Sequence, residues 1–118
     1  MRLSEIDFGA AKPVEGYGPD FFRVDGQAHV APLLIVAGDV QRWGGYDDSE
    51  TLLTLAGRVD VLFIGTGGQI AHIPVPLREK LEAAGLGVEI MDSPAACRTY
   101  NVLLSENRRV ALAVLPVS

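Results

Sequence analysis

Residues 59–68 have the sequence Val-Asp-Val-Leu-Phe-Ile-Gly-Thr-Gly-Gly, in which an apolar run passes directly into a glycine-rich turn. The apolar part, Val59–Ile64, predicts a buried central strand. A helix near Pro76 follows, and Gly87–Met91 then predicts a second strand. Because strand–helix–strand crossovers within one sheet are almost always right-handed, we expect these two strands to be parallel. This order is typical of an α/β fold.

The rest of the chain is expected to complete a single domain, residues 1–118, that opens with an irregular lead-in over residues 1–20. Asp25-Gly26 predicts the turn of a hairpin over Phe21–Val30. The other predicted elements are a strand covered on both faces over Leu33–Ala37, an edge strand over Val40–Trp43, a helix from Ser49 to Gly57, a last helix over Ser93–Leu104 and a closing strand over Val110–Leu115.

Composition excludes several functional classes. The formal charge of −5 disfavours a nucleic-acid surface, and no apolar run is long enough for a membrane span. The N-terminal sequence has no signal-peptide or transit-peptide character. A single cysteine cannot form an internal disulfide, which fits a reducing compartment. We therefore expect a cytoplasmic protein.

The glycine loop that follows the central strand is the first candidate site. Parallel strands bring this loop and the turn at Asp92 to the same edge of the sheet, where open α/β folds bind ligands. Backbone N–H groups around Gly65, Thr66 and Gly67 are candidates to bind an anion. A dinucleotide fingerprint is absent because Ile70 occupies the third glycine position. The alternative is a tight turn that only ends the strand.

The helix after Asp92 carries the other candidate ligand-binding residues. Ser93 has the chemistry of an N-cap, and Pro94 suits the first helical position. Arg98 opposes the helix dipole unless a carboxylate or a bound anion compensates it, so it is either a ligand contact or half of a structural salt bridge. Asn101 lies one turn beyond Cys97 on the same face.

Cys97 is the candidate nucleophile, because the helix N-terminus and Arg98 both favour a thiolate. A Cys–His mechanism needs a base, and His72 is the histidine best placed for it. No third residue that would orient the imidazole is evident. The alternative is an inert thiol packed in the core beside Tyr100, a ring expected to be buried with its hydroxyl satisfied.

Metal and cofactor binding have no support in the sequence. One cysteine and two distant histidines offer no ligand pair at the usual spacing. Asp47, Asp48 and Glu50 lie at a helix start, where carboxylates complement the dipole. We expect them to act in capping and not to bind calcium, and we expect no metal and no cofactor. Trp43 and Tyr46 are a weaker candidate for an aromatic contact surface.

The chain resembles a small domain family of unknown function that includes the mitochondrial complex I assembly factor 3 and an adipogenesis-associated, archaeal-like domain protein. The matching pieces are Phe22-Arg23-Val24, Leu62-Phe63-Ile64-Gly65-Thr66-Gly67, Pro76-Leu77-Arg78, Gly87-Val88-Glu89-Ile90-Met91-Asp92, Ala95-Ala96-Cys97-Arg98-Thr99-Tyr100-Asn101 and Arg108-Arg109-Val110-Ala111. The resemblance implies a three-layer α/β fold: a central mixed β-sheet with helices on one side and a β-hairpin plus helix on the other. It also implies a final strand antiparallel to the rest, and no established catalytic residues.

Two functions remain open. The favoured one is a non-enzymatic binding or assembly module with a protein partner, because no nucleophile–base–orienter set can be assembled. The other is a domain that binds a small anionic ligand, with or without thiol chemistry, through the Gly65–Gly68 loop, Cys97 and Arg98. The sequence does not decide whether the chain is an enzyme, although it favours a non-enzymatic function.

Overall fold

The computed structural model describes residues 11–118, and the part of the predicted lead-in before residue 11 lies outside them. Within the described residues, eight strands and three α-helices follow one another along the chain. They are β1 (Val14–Tyr17), β2 (Phe21–Val24), β3 (Gln27–Val30), β4 (Leu33–Val36), β5 (Asp39–Arg42), α1 (Ser49–Leu53), β6 (Val61–Gly65), α2 (Val75–Ala83), β7 (Gly87–Met91), α3 (Ser93–Ser105) and β8 (Val110–Val114).

The central sheet is mixed and has the strand order β5-β4-β8-β6-β7. Strands β6 and β7 are parallel, as predicted. The expectation of a final strand antiparallel to the rest was wrong, because β8 is parallel to β6 and antiparallel only to β4. β4 is the strand that runs against its neighbours, since it also pairs with β5 through a tight antiparallel hairpin.

Each face of the central sheet is covered by a different layer. Side chains of α1 and α2 pack on one face, with Leu52, Leu77 and Leu81 in that core. Helix α3 and the small β1-β2-β3 sheet cover the other face, with Phe22 and Tyr100 in that core. The chain thus has the predicted three-layer α/β architecture.

Strand β4 supplies both cores, as its uninterrupted apolar sequence predicted. Leu33 and Ile35 belong to the core beneath α3, whereas Leu34 belongs to the core beneath α2. Alternate residues of a strand point to opposite faces, so a strand buried on both sides must be apolar throughout.

The β1-β2-β3 sheet contains the predicted hairpin and one additional strand. Asp25 and Gly26 both have positive φ angles (52° and 78°), as a two-residue hairpin turn requires. The prediction that residues up to 20 are irregular was wrong for Val14–Tyr17, which pairs with β2. Only one of these four residues, Val14, is buried, so the segment shows little of the alternation that marks a strand.

The helices α1 and α2 both begin where their sequences indicate, but only α2 also ends there. Asp48 is the N-cap of α1, its carboxylate accepting from the Thr51 N–H at 3.2 Å. This helix ends at Leu53 and continues as turns to Gly57, so it is shorter than predicted. Gly85 stops α2 with a φ of 87°. No helix among residues 11–118 is long and apolar enough to cross a membrane.

Trp43 belongs to the core rather than to a contact surface. Its ring is 3% exposed, and its Nε1–H donates to the Asp48 backbone oxygen at 3.1 Å. Tyr46 meets it edge-on, with ring centroids 6.1 Å apart. The predicted aromatic surface is therefore reduced to the partly exposed Tyr46.

Candidate functional site

The glycine loop after β6 and the start of α3 are in direct contact at the carboxyl edge of the sheet, as predicted. The Thr66 N–H donates to the Met91 oxygen at 2.9 Å, which extends the β6–β7 pairing beyond the strands. The Ser93 N–H donates to the Gly67 oxygen at 2.7 Å. Both candidate segments therefore form one unit, held together by backbone hydrogen bonds.

Ser93 is the centre of this unit, a role that the sequence did not indicate. The residue is fully buried. Its Oγ accepts from the Gly67 N–H at 2.9 Å and donates to the Leu115 oxygen at 2.8 Å. One hydroxyl thus links the glycine loop, the start of α3 and the chain as it leaves β8.

The predicted cap of α3 was wrong by one residue. Asp92 is the N-cap, and its Oδ1 accepts from the Ala95 N–H at 2.8 Å. Ser93 is then the first helical residue, which moves Pro94 from the predicted first position to the second. The serine hydroxyl is unavailable for capping because it is used in the tertiary contacts just described, and the preceding carboxylate takes its place.

The glycines of the loop are required by close packing. A Cβ atom at Gly65 would lie 2.7 Å from the Cα of Ser93, and one at Gly68 would lie 2.6 Å from the Val117 oxygen. Gly67 has a φ of 110°, which disfavours any side chain. Because Ser93 already occupies the Gly67 N–H, these contacts favour the tight-turn interpretation over an open anion cradle.

Thr66 organises the rest of the loop with its hydroxyl. The Oγ1 donates to the Gln69 oxygen at 2.7 Å and accepts from the Ala71 N–H at 3.0 Å. This pattern closes the turn between residues 66 and 71 around one side chain.

Cys97 lacks the properties of a nucleophile. It is 4% exposed, and burial raises the pKa of its thiol to about 12 although nearby Arg98 lowers it. His72 lines a pocket with Ile73 and Ile90, residues of the core beneath α2, whereas Cys97 packs in the core beneath α3. The thiol and the pocket lined by His72 therefore adjoin the cores on opposite faces of the central sheet, which argues against a catalytic pair.

Arg98 is exposed on α3. No carboxylate within residues 11–118, Glu89 and Asp92 included, lies within ion-pair distance of its guanidinium. Of the candidate residues, Arg98 is the charged one that is exposed.

Asn101 holds α3 against β1. Its Oδ1 accepts from the Val14 N–H at 2.9 Å, and its Nδ2 donates to the Val14 oxygen at 2.8 Å. Both polar groups of the amide are therefore used by one backbone residue, 87 positions away in sequence. This bond pair assigns Asn101 a structural function in the present arrangement.

Tyr100 is buried as expected, but its hydroxyl is not satisfied in the expected way. The ring is fully buried, and no hydrogen bond of normal geometry reaches the hydroxyl from the described part of the chain. The backbone at Ala37 and Gly38 lies close to it without reaching that geometry. Burial raises the pKa of the phenol to about 12.

A pocket of about 390 Å³ beside β7 was not indicated by the sequence. Ile70 and Val75, each 65% exposed, lie at its edge, and Arg78 lines it. The available signal was an isoleucine in the glycine-rich loop and a valine between two prolines at the start of α2. Among residues 11–118, no group of three or more His, Cys, Asp or Glu side chains is arranged to hold a metal ion.

The sequence of this chain is similar to a known protein family and to a bacterial relative. The family described as "Protein of unknown function (DUF498/DUF598)" matches residues 14–115. An uncharacterized protein of Rhodobacter capsulatus is 50% identical over 117 residues, which are 99% of this chain and 94% of the relative.

A second relative and a solved structure extend the comparison. The NADH dehydrogenase [ubiquinone] 1 alpha subcomplex assembly factor 3 of Danio rerio is 29% identical, with 98% of this chain aligned to 71% of that protein. A crystal structure from Bordetella parapertussis superimposes with a TM-score of 0.80 at 32% identity, covering 92% of this chain and 98% of the other. Sequence and fold therefore agree over nearly the whole domain.

Proposed function

The chain belongs to the DUF498/DUF598 family, and from that premise we propose that it is a non-enzymatic module that binds protein partners during the assembly of a larger complex. The family includes relatives named as assembly factors of the NADH dehydrogenase 1 alpha subcomplex. The alignment with these relatives covers almost all of this chain, so the proposal concerns the whole domain and not a fragment of it.

One structural observation carries the proposal. The groups with catalytic potential at the carboxyl edge are committed to holding the fold: the Ser93 hydroxyl bridges Gly67 and Leu115, and the Cys97 thiol is buried with a pKa of about 12. A nucleophile must be accessible and paired with a base, and neither condition is met here. A domain whose function is to present surfaces to partners needs no such group, and we expect it to need no cofactor.

We also expect this chain to work in a reducing compartment. A single cysteine, buried and unpaired, fits a reducing environment such as the cytoplasm.

The test is reconstitution of a partner complex. The tagged chain is recovered from its source cells after chemical cross-linking, and each captured protein is purified and mixed with it in defined amounts. We expect a complex of fixed stoichiometry in size-exclusion chromatography with light scattering. Absence of any reproducible partner, or captured proteins that do not re-form a complex, would contradict the proposal.

A second candidate function uses the exposed guanidinium of Arg98. The candidate set expected from the sequence is Gly65, Thr66, Gly67, Asp92, Cys97, Arg98 and Asn101. Of these, Arg98 is the exposed charged residue without a carboxylate partner among residues 11–118, which favours it as a contact to a small carboxylate or phosphate.

This candidate is tested by titrating the chain with inorganic phosphate and with citrate and following the amide NMR signals of residues 65–68 and 92–98. We expect Arg98→Ala to abolish the shifts and Arg23→Ala, which removes an exposed arginine of β2, to retain them. Equal shifts in the two variants would remove Arg98 from any site.

A further inference from the structure

Three arginines converge on one pocket at the end of the central sheet opposite the glycine loop. Arg58 precedes β6, and Arg108 and Arg109 precede β8. The Asp60 N–H donates to the Arg109 oxygen at 2.9 Å, which joins the two segments although they are about fifty residues apart. The pocket has a volume of about 250 Å³.

All three arginines line the pocket, but only one of them is held by an ion pair. Arg109 forms a two-point ion pair with Asp60, with Nη2–Oδ1 at 2.8 Å and Nε–Oδ2 at 3.4 Å. The hydrogen bonds from Arg109 lower the pKa of Asp60, so the carboxylate stays charged and offsets the charge of Arg109. Arg58 and Arg108 form no ion pair with a carboxylate among residues 11–118. Among residues 11–118, no acidic side chain lines the pocket.

The charge of this pocket contrasts with the rest of the chain. The chain as a whole has a formal charge of −5, which repels acidic molecules at long range. A local concentration of guanidinium groups creates one place where an acidic group is favoured. Guanidinium also matches the geometry of a carboxylate with two parallel hydrogen bonds.

The floor of the pocket is apolar. It is formed by residues from five separate places in the chain, Ala11, Val36, Ala37, Val59, Leu104 and Val110. A volume of about 250 Å³ holds one or two large side chains but is small for a nucleotide or a drug-sized ligand. An arginine edge around an apolar floor fits a ligand that carries a carboxylate next to an aliphatic or aromatic group.

We propose that this pocket, the arginine pocket, binds a short segment of a partner protein in which glutamate or aspartate alternates with apolar residues. The inference rests on the proposed function, because it assigns the partner-binding role to a particular surface. Acidic side chains bind Arg58 and Arg108, and an adjacent apolar side chain contacts the accessible apolar lining at Val36 and Ala37. The pocket then selects its partner by charge and by one buried contact.

The test is an NMR titration of the full chain with the peptide acetyl-Glu-Leu-Glu-Phe-Glu-Leu-amide. We expect saturable shifts confined to the amides of Ala37, Arg58, Val59 and residues 107–110, and affinity that falls as salt rises. Arg58→Ala combined with Arg108→Ala should weaken binding about tenfold or more. Both side chains are exposed and outside the Asp60 pair, so the variant is expected to fold. Arg42→Ala is the charge-matched control and should leave the affinity unchanged.

Reversing the charge of the two arginines should reverse the charge preference of the pocket. Arg58→Glu with Arg108→Glu should lose the acidic peptide and gain binding of the same peptide with lysine in place of glutamate. Equal affinity of wild type and double variant, or equal binding of a glutamine-substituted peptide, would overturn the inference. Displacement of the peptide by inorganic phosphate at the same concentration would also overturn it, in favour of a small-anion site. If a whole partner still binds the charge-reversed chain, the arginine pocket is excluded while the proposed function stands.

Discussion

The side-chain amide of Asn101 bonds both backbone polar groups of Val14, accepting from its N–H at 2.9 Å and donating to its oxygen at 2.8 Å. The pair fixes α3 to β1, so the small sheet and the helix form one layer. From sequence, Asn101 was a candidate ligand contact because it shares a helical face with Cys97. The observed contacts give its amide a fold-stabilising function.

Asn101→Ala should therefore destabilise the domain by about 1–3 kcal/mol, since both backbone groups of Val14 lose their partners in a half-buried position. The free energy of unfolding is measured in urea by the fluorescence of Trp43, the single and buried tryptophan. Val102→Ala, at a position 56% exposed on the same helix, is the control and should change stability little. Equal stability of wild type and Asn101→Ala would show that the bond pair contributes nothing.

Ser93→Ala should cost about 2 kcal/mol or more, because it leaves the Gly67 N–H and the Leu115 oxygen buried without a partner. Ser105→Ala removes a serine hydroxyl from the same helix that bonds only the local Val102 oxygen, so its effect should be a few tenths of a kcal/mol. Urea unfolding of the two variants gives the comparison. Similar losses in both would refute the role of Ser93 as the link between three segments.

Gly65→Ala tests the close packing of the glycine loop. The new Cβ would meet the Cα of Ser93 at 2.7 Å, and a backbone atom cannot move aside as a flexible side chain can. We expect a loss of about 1–3 kcal/mol, typical of overpacking. Gly16→Ala is the matched control, because nothing lies within 4 Å of a Cβ at that position. A loss at Gly65 no larger than at Gly16 would mean that the loop adapts freely.

The strand–helix–strand core was predictable because its signals are local. A buried strand, a glycine turn and a helix with leucines on one face each depend on neighbouring residues in the sequence. The first strand was missed since only Val14 of its four residues is buried. The wrong direction of β8 came from the family resemblance, and hydrophobic periodicity could not correct it because it is the same in parallel and antiparallel strands.

The candidate site was predictable in position but not in its bonding. Parallel strands brought the glycine loop and the Asp92 turn together as expected. The function of Ser93 could not be predicted, because a serine before proline has the sequence of an N-cap and its tertiary partners lie 26 and 22 residues away. Likewise, Arg58 and Arg108 become neighbours only through the pairing of β6 with β8.

Stability should fall at alkaline pH because of Cys97 and Tyr100. Burial raises the pKa of the thiol from 9.0, and that of the phenol from 10.0, to about 12. The unfolded chain therefore loses these protons first, so the stabilisation is complete below about pH 9 and is lost as pH rises toward 12. We expect a decrease on the order of 5 kcal/mol across this range.

Urea unfolding at about pH 8 and about pH 10.5 measures this dependence, since the thiol titrates in the unfolded chain between them. Cys97→Ala combined with Tyr100→Phe should lower stability at both pH values but flatten the change between them. In the native wild type, the thiol should react with a soluble disulfide reagent only after denaturant is added. A thiol that reacts rapidly at neutral pH in the folded chain would contradict the buried assignment and reopen thiol chemistry at the carboxyl edge.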